Sequence, residues 1–199
     1  MRICIKNKFF KLFCLFLICG IFSSCISNKQ QRESCSRIIA SWGIKNDSQL
    51  SAFFLANNSH VDCAFIKNFA AIYIEEAKAE GINSDIAFVQ MCLETGFLRF
   101  GNLVTEDMHN YCGLGAIYTE HRGEVFATER EGIRAHIQHL HAYGTPEEVK
   151  LQNALIDNRY KWVKPRGKAI DIYGLSGTWA ADKEYGLKLD ELLTRLETF

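Results

Sequence analysis

The stretch of residues 85–101 constrains the fold of this chain more than any other, because it predicts one mostly buried helix with a defined start and end. Apolar side chains recur there at helical spacing, at Ile86, Val89 and Leu93. The segment Asn83–Asp85 offers several side chains that cap a helix N-terminus, and Gly96 stands where a helix commonly stops. The rest of the chain is best explained as support for this helix.

Glu94 falls in the last turn of the predicted helix, which is a poor place to keep a carboxylate ionised. The helix C-terminus carries partial negative charge, and Leu93, Phe97 and Phe100 surround the position with apolar groups. Both effects raise the pKa of a carboxyl group. A carboxylic acid that stays protonated near neutral pH is what protonation of a glycosidic oxygen requires. On composition alone, the alternative stays open that Glu94 is an ordinary glutamate exposed to solvent.

Three short segments form a pattern that is more specific than any one of them. The aliphatic helix ends in Leu93-Glu94-Thr95-Gly96, the segment Asn110–Ala116 follows a short loop, and Trp179–Tyr185 precedes the C-terminal helix. In this order they resemble the bacterial peptidoglycan glucosaminidases, family 73 of the glycoside hydrolases. The stretch Gly132–Leu140 is similar to one branch of that family, and the resemblance covers residues 49–199.

The resemblance implies a fold class, an activity and a set of site residues. The expected fold class is α+β, mainly α-helical and lysozyme-like, with a small β-hairpin lobe. The expected activity is cleavage of the β-1,4 bond between N-acetylglucosamine and N-acetylmuramic acid in peptidoglycan. Glu94 matches the general acid of the family. The residues matched to substrate binding are Asn110, Tyr111, Gly113, Trp179 and Tyr185.

The group that acts on the other face of the sugar stays open at this stage. Glu120 and Glu124 lie in the predicted hairpin and are candidate second carboxylates. We favour the substrate's own 2-acetamido group, or a distant base, because neither glutamate lies in a recognisable motif. A muramidase or lytic transglycosylase would share the fold and the single glutamate, whereas a non-catalytic wall-binding lipoprotein would not need Glu94. No metal or organic cofactor is expected.

The N-terminal residues predict export. Basic residues precede an apolar run at 12–22 that is too short to span a membrane comfortably, and Phe22-Ser23-Ser24-Cys25 follows. This pattern resembles a lipoprotein signal. It predicts a signal peptide at 1–24, a lipidated tether at 25–45 and a glucosaminidase domain at 46–199. The expected protein is a monomer anchored through Cys25, in the outer membrane facing the periplasm, with peptidoglycan strands as its partner. An uncleaved membrane anchor is the alternative.

Charge argues against a nucleic-acid partner. The chain has 23 basic and 23 acidic residues. Arg2, Lys6, Lys8 and Lys11 precede Cys25, so 23 − 4 = 19 basic residues remain beside 23 acidic ones, a net charge of −4.

Four cysteines follow Cys25, namely Cys35, Cys63, Cys92 and Cys112. An exported chain allows up to two disulfides among them, and the sequence does not choose a pairing. Buried thiols are the alternative for Cys92 and Cys112, which flank the predicted site.

Besides a short helix candidate at residues 50–55, two longer helices are predicted before the C-terminal one. The first runs from Asp62 as N-cap to Glu80, with Gly81 after it, and its polar side chains are expected to face solvent. Those side chains are Glu75, Glu76, Lys78 and Glu80. The second begins at Thr128 with a capping box to Glu131. Its three histidines are predicted to be packed or exposed helix residues rather than metal ligands, and are His136, His139 and His141.

The remaining segments are less specific. Residues 113–128 predict a β-hairpin, and Asp182 is the expected N-cap of the C-terminal helix. Basic and aromatic side chains are interleaved between residues 159 and 168. This cluster is consistent either with sugar binding or with an ordinary surface loop around a buried Trp162.

Overall fold

The computed structural model describes residues 33–199, and this part of the chain is mainly helical. Five α-helices are present in residues 33–199: α1 (Asp47–Asn57), α2 (Cys63–Glu80), α3 (Ser84–Thr95), α4 (Glu129–Gly144) and α5 (Tyr185–Leu196). Short 3-10 helices occupy Glu106–Met108, Asn158–Trp162 and Tyr173–Leu175. None of the described helices has the length and apolarity needed to cross a membrane. The predicted signal peptide, Cys25 and the start of the predicted tether lie outside the described residues.

Helix α3 is the centre of the fold, as the sequence predicted, and it contacts all four other α-helices. The side chain of Asn83 caps its start by accepting hydrogen bonds from the amides of Asp85 (3.0 Å) and Ile86 (3.3 Å). Gly96 ends it in the left-handed conformation, with φ of +59°. Ten of its twelve residues are buried, so the end of α3 is held in one place by packing on every side.

The segment before α1 belongs to the folded domain. Ile39 is fully buried, and the carboxylate of Asp85 accepts hydrogen bonds from the backbone amides of Ile44 (2.8 Å) and Lys45 (3.2 Å). Asn83 donates to the carbonyl of Ser36 over 3.1 Å. Part of the predicted tether is therefore bound to the N-terminus of α3.

The predicted β-hairpin lobe is not formed as a pair of strands. Within residues 113–128 one antiparallel bridge joins Tyr118 and His121. Three glycines with positive φ bend the loop, and they are Gly113, Gly115 and Gly123. The side-chain amide of Asn110 donates to the carbonyls of Leu114 (2.9 Å) and Glu124 (3.1 Å). The carbonyl of Leu114 also accepts from the backbone amide of Glu124 over 2.8 Å, but residues 113–128 form no longer ladder of such pairs.

A short left-handed turn follows Glu94. Gly96, Phe97 and Leu98 have φ of +59°, +58° and +57°, a conformation that costs non-glycine residues about 1–2 kcal/mol each. The turn is held by hydrogen bonds from the amide of Phe97 to the carbonyl of Cys92 (2.8 Å) and from Asn58 to the carbonyl of Phe97 (2.8 Å). The chain reverses sharply there and leads toward Phe100.

Helix α5 begins two residues later than predicted. Its first residue is Tyr185, and Glu184 occupies the N-cap position. The carboxylate of Asp182, the predicted cap, instead accepts from the amide of Glu184 over 2.8 Å and pairs with Lys188 at 2.6 Å. Asp182 therefore closes the turn before the helix. The leucine stripe of α5 is buried, at Leu189, Leu192, Leu193 and Leu196.

Two glutamates of α2 that were predicted to face solvent are buried. Glu76 is 3% exposed and Glu80 is 5% exposed. The carboxylate of Glu76 binds Arg134 (2.8 and 3.0 Å) and Arg130 (2.8 Å) of α4. Burial alone would raise the pKa of Glu76, but the hydrogen bonds and charges of Arg134 and Arg130 outweigh it and lower the pKa. The prediction failed because the sequence does not show that α4 brings two arginines across α2.

Replacing Glu76 by Gln is expected to lower the free energy of unfolding at neutral pH by about 1–2 kcal/mol, because charge-assisted hydrogen bonds are lost. Since the folded-state pKa of Glu76 is lowered, its contribution is present above the unfolded pKa and is lost as the pH falls through the folded one. Urea unfolding over a pH series measures this. Glu75→Gln is the control, because Glu75 pairs with the same Arg130 but is 61% exposed. If the free energy of unfolding of Glu76→Gln differs from that of the unaltered protein by the same amount at every pH, the lowered pKa of Glu76 is contradicted.

Candidate active site

A cavity of about 320 Å³ opens at the C-terminal end of α3. That volume lies in the range of ligand sites, roughly 300–1,000 Å³. Its walls come from Glu94, from the segment around Phe100 and Val104, from the loop at 110–116, and from Trp179. Glu94 is the one carboxylate among the described residues that line it.

The two carboxylate oxygens of Glu94 have different surroundings. Oε1 accepts hydrogen bonds from the indole Nε1 of Trp179 (3.1 Å) and from the hydroxyl of Tyr185. Oε2 faces Gly113, where an added Cβ would lie 4.0 Å away. Both protein donors are thus on Oε1. Oε2 is the oxygen directed to the loop side of the cavity.

The pKa of Glu94 is raised, as the sequence predicted. Burial is the largest cause, because it disfavours the ionised form. The hydrogen bonds from Tyr185 and Trp179 stabilise the carboxylate and lower the pKa, but they offset only part of the burial effect. Glu94 is therefore a half-buried acid with a raised pKa and with two donors in place for its ionised form.

Trp179 is held in position by aromatic packing against α4. Its ring lies 5.2 Å from those of Tyr143 and His139, and 5.9 Å from that of His136, between centroids. The hydroxyl of Tyr143 donates to the carbonyl of Thr178 over 3.0 Å and fixes the backbone beside it. Because these rings surround the indole, its N–H has one fixed direction, toward Glu94.

The chain matches one family of known proteins along most of its length. The family model described as "Glucosaminidase: Mannosyl-glycoprotein endo-beta-N-acetylglucosaminidase" matches residues 70–198. The chain belongs to the glucosaminidase family. It is also 39% identical, over 171 residues, to an uncharacterized protein of Borreliella burgdorferi (strain ATCC 35210 / DSM 4680 / CIP 102532 / B31). That match covers 86% of this chain and 82% of the relative. No solved structure matches the chain.

Membership of the glucosaminidase family makes the chain a glycoside hydrolase, and two of the expected site residues meet at its cavity. Trp179 and Tyr185 both bind Glu94, although they are 85 and 91 residues away along the chain. Gly113 lines the cavity beside Oε2. Each of these three positions was carried over from the motifs of the family.

Two other positions expected to bind substrate have structural surroundings. Asn110 lines the glucosaminidase cavity, but its side-chain amide is bound to the loop backbone. Its nitrogen donates to the carbonyl of Leu114, and its oxygen accepts from the backbone amide of Leu114, each over 2.9 Å. Tyr111 is 4% exposed and packs edge-on against Phe69, with 4.8 Å between ring centroids. Asn110 therefore shapes the cavity wall, and Tyr111 is a core residue behind it.

Neither candidate second carboxylate lines the cavity. Glu120 is exposed in the turn closed by Tyr118 and His121. Glu124 pairs with Arg159 over 2.6 Å, and Arg159 also binds Asp157 at 3.3 Å. Glu124 therefore ties the loop at 113–126 to the 3-10 helix at residues 158–162.

In the basic and aromatic cluster at residues 159–168, arginine side chains stack on the aromatic rings. The guanidinium of Arg159 lies 5.3 Å from the Trp162 ring, and Arg166 lies 4.4 Å over Tyr160. Trp162 is 69% exposed, so the alternative of a buried tryptophan is wrong. Arg166 donates to the carbonyl of Ala142 over 3.1 Å, which fixes the cluster to α4.

The four described cysteines are free thiols, and Cys35, Cys92 and Cys112 are buried. Burial raises the pKa of Cys92 and of Cys112 well above the usual value, so both stay protonated. Cys92 and Cys112, which flank the site, are therefore buried thiols, the second of the two alternatives left open by the sequence. Cys63 is exposed.

Neither Gln90 nor Tyr73 was predicted from the sequence to be a site residue, and His136 was predicted to be a packed or exposed helix residue. Gln90 is fully buried, and its amide nitrogen lies 2.9 Å from the hydroxyl of Tyr185. A signal was present in the sequence: Gln90 precedes Glu94 by one helical turn, and it is the one polar residue between Ile86 and Leu93. The partner of that amide could not be read from the sequence.

Proposed function

We propose that this glucosaminidase cleaves the β-1,4 bond between N-acetylglucosamine and N-acetylmuramic acid in peptidoglycan, with Glu94 as the general acid. One observation supports this assignment above the others. A half-buried carboxyl group with a raised pKa lies in the cavity, and both of its protein donors bind the same oxygen. Its other oxygen is free to carry the proton that the leaving oxygen takes.

The geometry suits a change of charge on Glu94 during the reaction. As the glycosidic bond breaks, the proton moves from Oε2 to the leaving oxygen and Glu94 becomes a carboxylate. The indole of Trp179 and the hydroxyl of Tyr185 already point at Oε1. Donors aimed in advance at developing charge stabilise the transition state without reorganisation.

The proposed second step uses the substrate. The carbonyl oxygen of the 2-acetamido group attacks the anomeric carbon as the leaving oxygen departs, and a cyclic intermediate forms. Water then attacks the anomeric carbon, the bond from that carbon to the acetamido oxygen breaks, and one water proton goes to the Glu94 carboxylate. The acetamido group and the acid are thereby restored. The lining of the cavity by a single described carboxylate supports this route. Glu120, acting as base on water, is the alternative.

Product analysis tests the choice of bond. Peptidoglycan is digested with the purified protein, the fragments are reduced with borohydride, and the ends are identified by mass. Reduced N-acetylglucosamine ends are expected. Reduced muramic acid ends would make the protein a muramidase, and anhydromuramic ends would make it a lytic transglycosylase. Either result would overturn the proposal, as would the absence of products under conditions where the protein is folded.

We also propose that Cys25 carries the lipid that anchors the enzyme as a monomer in the outer membrane, facing the periplasm. The support is the basic and apolar N-terminal pattern that ends in Ser23-Ser24-Cys25. The mass of the mature N-terminal peptide tests this, since an unmodified Cys25 would exclude the anchor.

A further inference from the structure

A row of buried polar side chains runs from the middle of α2 to Glu94. The hydroxyl of Tyr73 lies 3.0 Å from Nδ1 of His136, and Nε2 of His136 lies 3.0 Å from Oε1 of Gln90. Nε2 of Gln90 lies 2.9 Å from the hydroxyl of Tyr185, which donates to Oε1 of Glu94. Tyr73, Gln90 and His136 are each 0% exposed. A network of this kind, far from water, has to be internally consistent in its donors and acceptors.

The direction of the hydrogen bonds along this row follows from Tyr73, its first residue. Nδ1 of His136 is the hydrogen-bond partner of the Tyr73 hydroxyl within residues 33–199, and a buried hydroxyl without an acceptor is costly. Tyr73 therefore donates, and Nδ1 accepts. The proton of the imidazole is then on Nε2, so Gln90 turns its oxygen to His136 and its nitrogen to Tyr185. The hydroxyl oxygen of Tyr185 accepts a hydrogen bond from Nε2 of Gln90, and the hydroxyl donates its own proton to Oε1 of Glu94.

The imidazole must be neutral for this direction to hold. Burial lowers the pKa of His136 to about 3, so the ring carries a single proton at any pH at which a cell-wall enzyme works. A neutral imidazole has one donor and one acceptor nitrogen, so His136 accepts from Tyr73 at Nδ1 and donates to Gln90 at Nε2.

We propose that Tyr73, His136 and Gln90 are positioning residues for the reaction, because they fix the proton of Tyr185 on Oε1 of Glu94 and leave Oε2 to carry the acid proton. In the reversed arrangement, the proton of Glu94 is on Oε1 and is donated to Tyr185, away from the substrate. The row excludes that arrangement. This inference rests on the proposed role of Glu94 as general acid.

The other titratable groups that face Glu94 do not change charge near neutral pH. Burial raises the pKa values of Tyr185 on α5 and of Cys112 on the loop, so both stay protonated. Behind Trp179, burial lowers the pKa of His139 on α4 to about 4, and that of His136 further. A pH profile of the reaction on its alkaline side therefore reports the ionisation of Glu94.

The test compares Tyr185→Phe, Tyr73→Phe and the double variant in the full chain, with soluble peptide-free glycan strands as substrate. Tyr185→Phe removes a donor to the carboxylate, so the alkaline limb of kcat/KM is expected about one pH unit higher and kcat about tenfold lower. Tyr73→Phe, whose hydroxyl does not touch Glu94, is expected to shift the limb in the same direction by about half a unit, with kcat about threefold lower. The double variant should equal Tyr185→Phe, because Tyr73 acts through Tyr185.

Tyr160→Phe is the matched control. It removes a similar hydrogen bond to a histidine of α4, since the Tyr160 hydroxyl lies 3.3 Å from Nδ1 of His141, but that pair does not lead to Glu94. Its pH profile should match that of the unaltered protein. The proposal would be overturned if the alkaline fall of kcat/KM stayed at the same pH in Tyr73→Phe. It would also be overturned if the pH shifts of the two single variants added in full in the double variant. Either result would mean that the row of buried side chains only packs the core. Full activity of Glu94→Gln is a different result, and it would overturn the proposed function instead.

Discussion

Replacing Glu94 by Gln is expected to lower kcat on peptidoglycan by about 10²–10⁴-fold, the usual contribution of a general acid, with the fold intact. The amide oxygen of glutamine can accept the hydrogen bonds that Trp179 and Tyr185 now give to Oε1. The cavity therefore keeps its shape and its donors, and what is lost is the transferable proton. The rate of release of reducing ends measures the effect.

The same variant is expected to be at least as stable as the unaltered protein. The folded-state pKa of Glu94 is raised, so its ionisation opposes folding as the pH rises from the unfolded pKa toward the folded one. Glutamine does not ionise and avoids that cost. The melting temperature of Glu94→Gln, relative to that of the unaltered protein, should therefore increase over this pH window. A variant that is both inactive and less stable at every pH would point to a structural role for Glu94.

Two other glutamates serve as comparisons for Glu94→Gln. Glu75→Gln should leave the rate unchanged, because Glu75 is exposed on α2 and pairs only with Arg130 in this part of the chain. Glu120→Gln separates the two proposed routes for the second step. A rate close to that of the unaltered protein is expected for assistance by the substrate, whereas a loss as large as that of Glu94→Gln would assign the base to Glu120.

The end of α3 could be predicted from the sequence because its determinants are local. The spacing of apolar residues, the cap at Asn83 and the stop at Gly96 all lie within the helix or beside it. The raised pKa of Glu94 followed from the same short stretch. Contacts between segments far apart in the sequence could not be predicted from local patterns. Trp179 was predicted to be a site residue only through the family resemblance.

The features that the sequence did not reveal depend on tertiary contacts. Glu76 has the charge of a surface residue, and only the approach of α4 supplies the two arginines that allow its burial. The left-handed turn at Phe97 and Leu98 has no glycine at either position to indicate it. Gln90 shows the same limit inside the site, because its role depends on the orientation of a histidine 46 residues away.

Gly132→Ala is expected to destabilise the domain, although alanine is the better helix former. Gly132 lies in the first half of α4, where an added Cβ would be 1.7 Å from the carbonyl oxygen of His109 and 3.3 Å from Cε2 of Tyr111. Backbone at that distance has to move. Overpacking costs about 1–3 kcal/mol or more, which exceeds the gain of about 1 kcal/mol in helix propensity. A net loss of about 2 kcal/mol corresponds to a melting temperature about 4–8 °C lower for a domain of this size.

The substitution should also affect the reaction, because the displaced backbone leads directly into the wall of the cavity. Asn110 and Gly113 follow His109 and place the loop beside Oε2 of Glu94. Gly81→Ala is the control: it introduces strain at a φ of +67°, but its Cβ would have no atom within 4 Å. It should cost about 1–2 kcal/mol without a change in kcat per folded molecule. If Gly132→Ala instead raises the melting temperature, the close approach of α4 and the 109–113 loop does not exist in solution, and the loop is positioned by Asn110 alone.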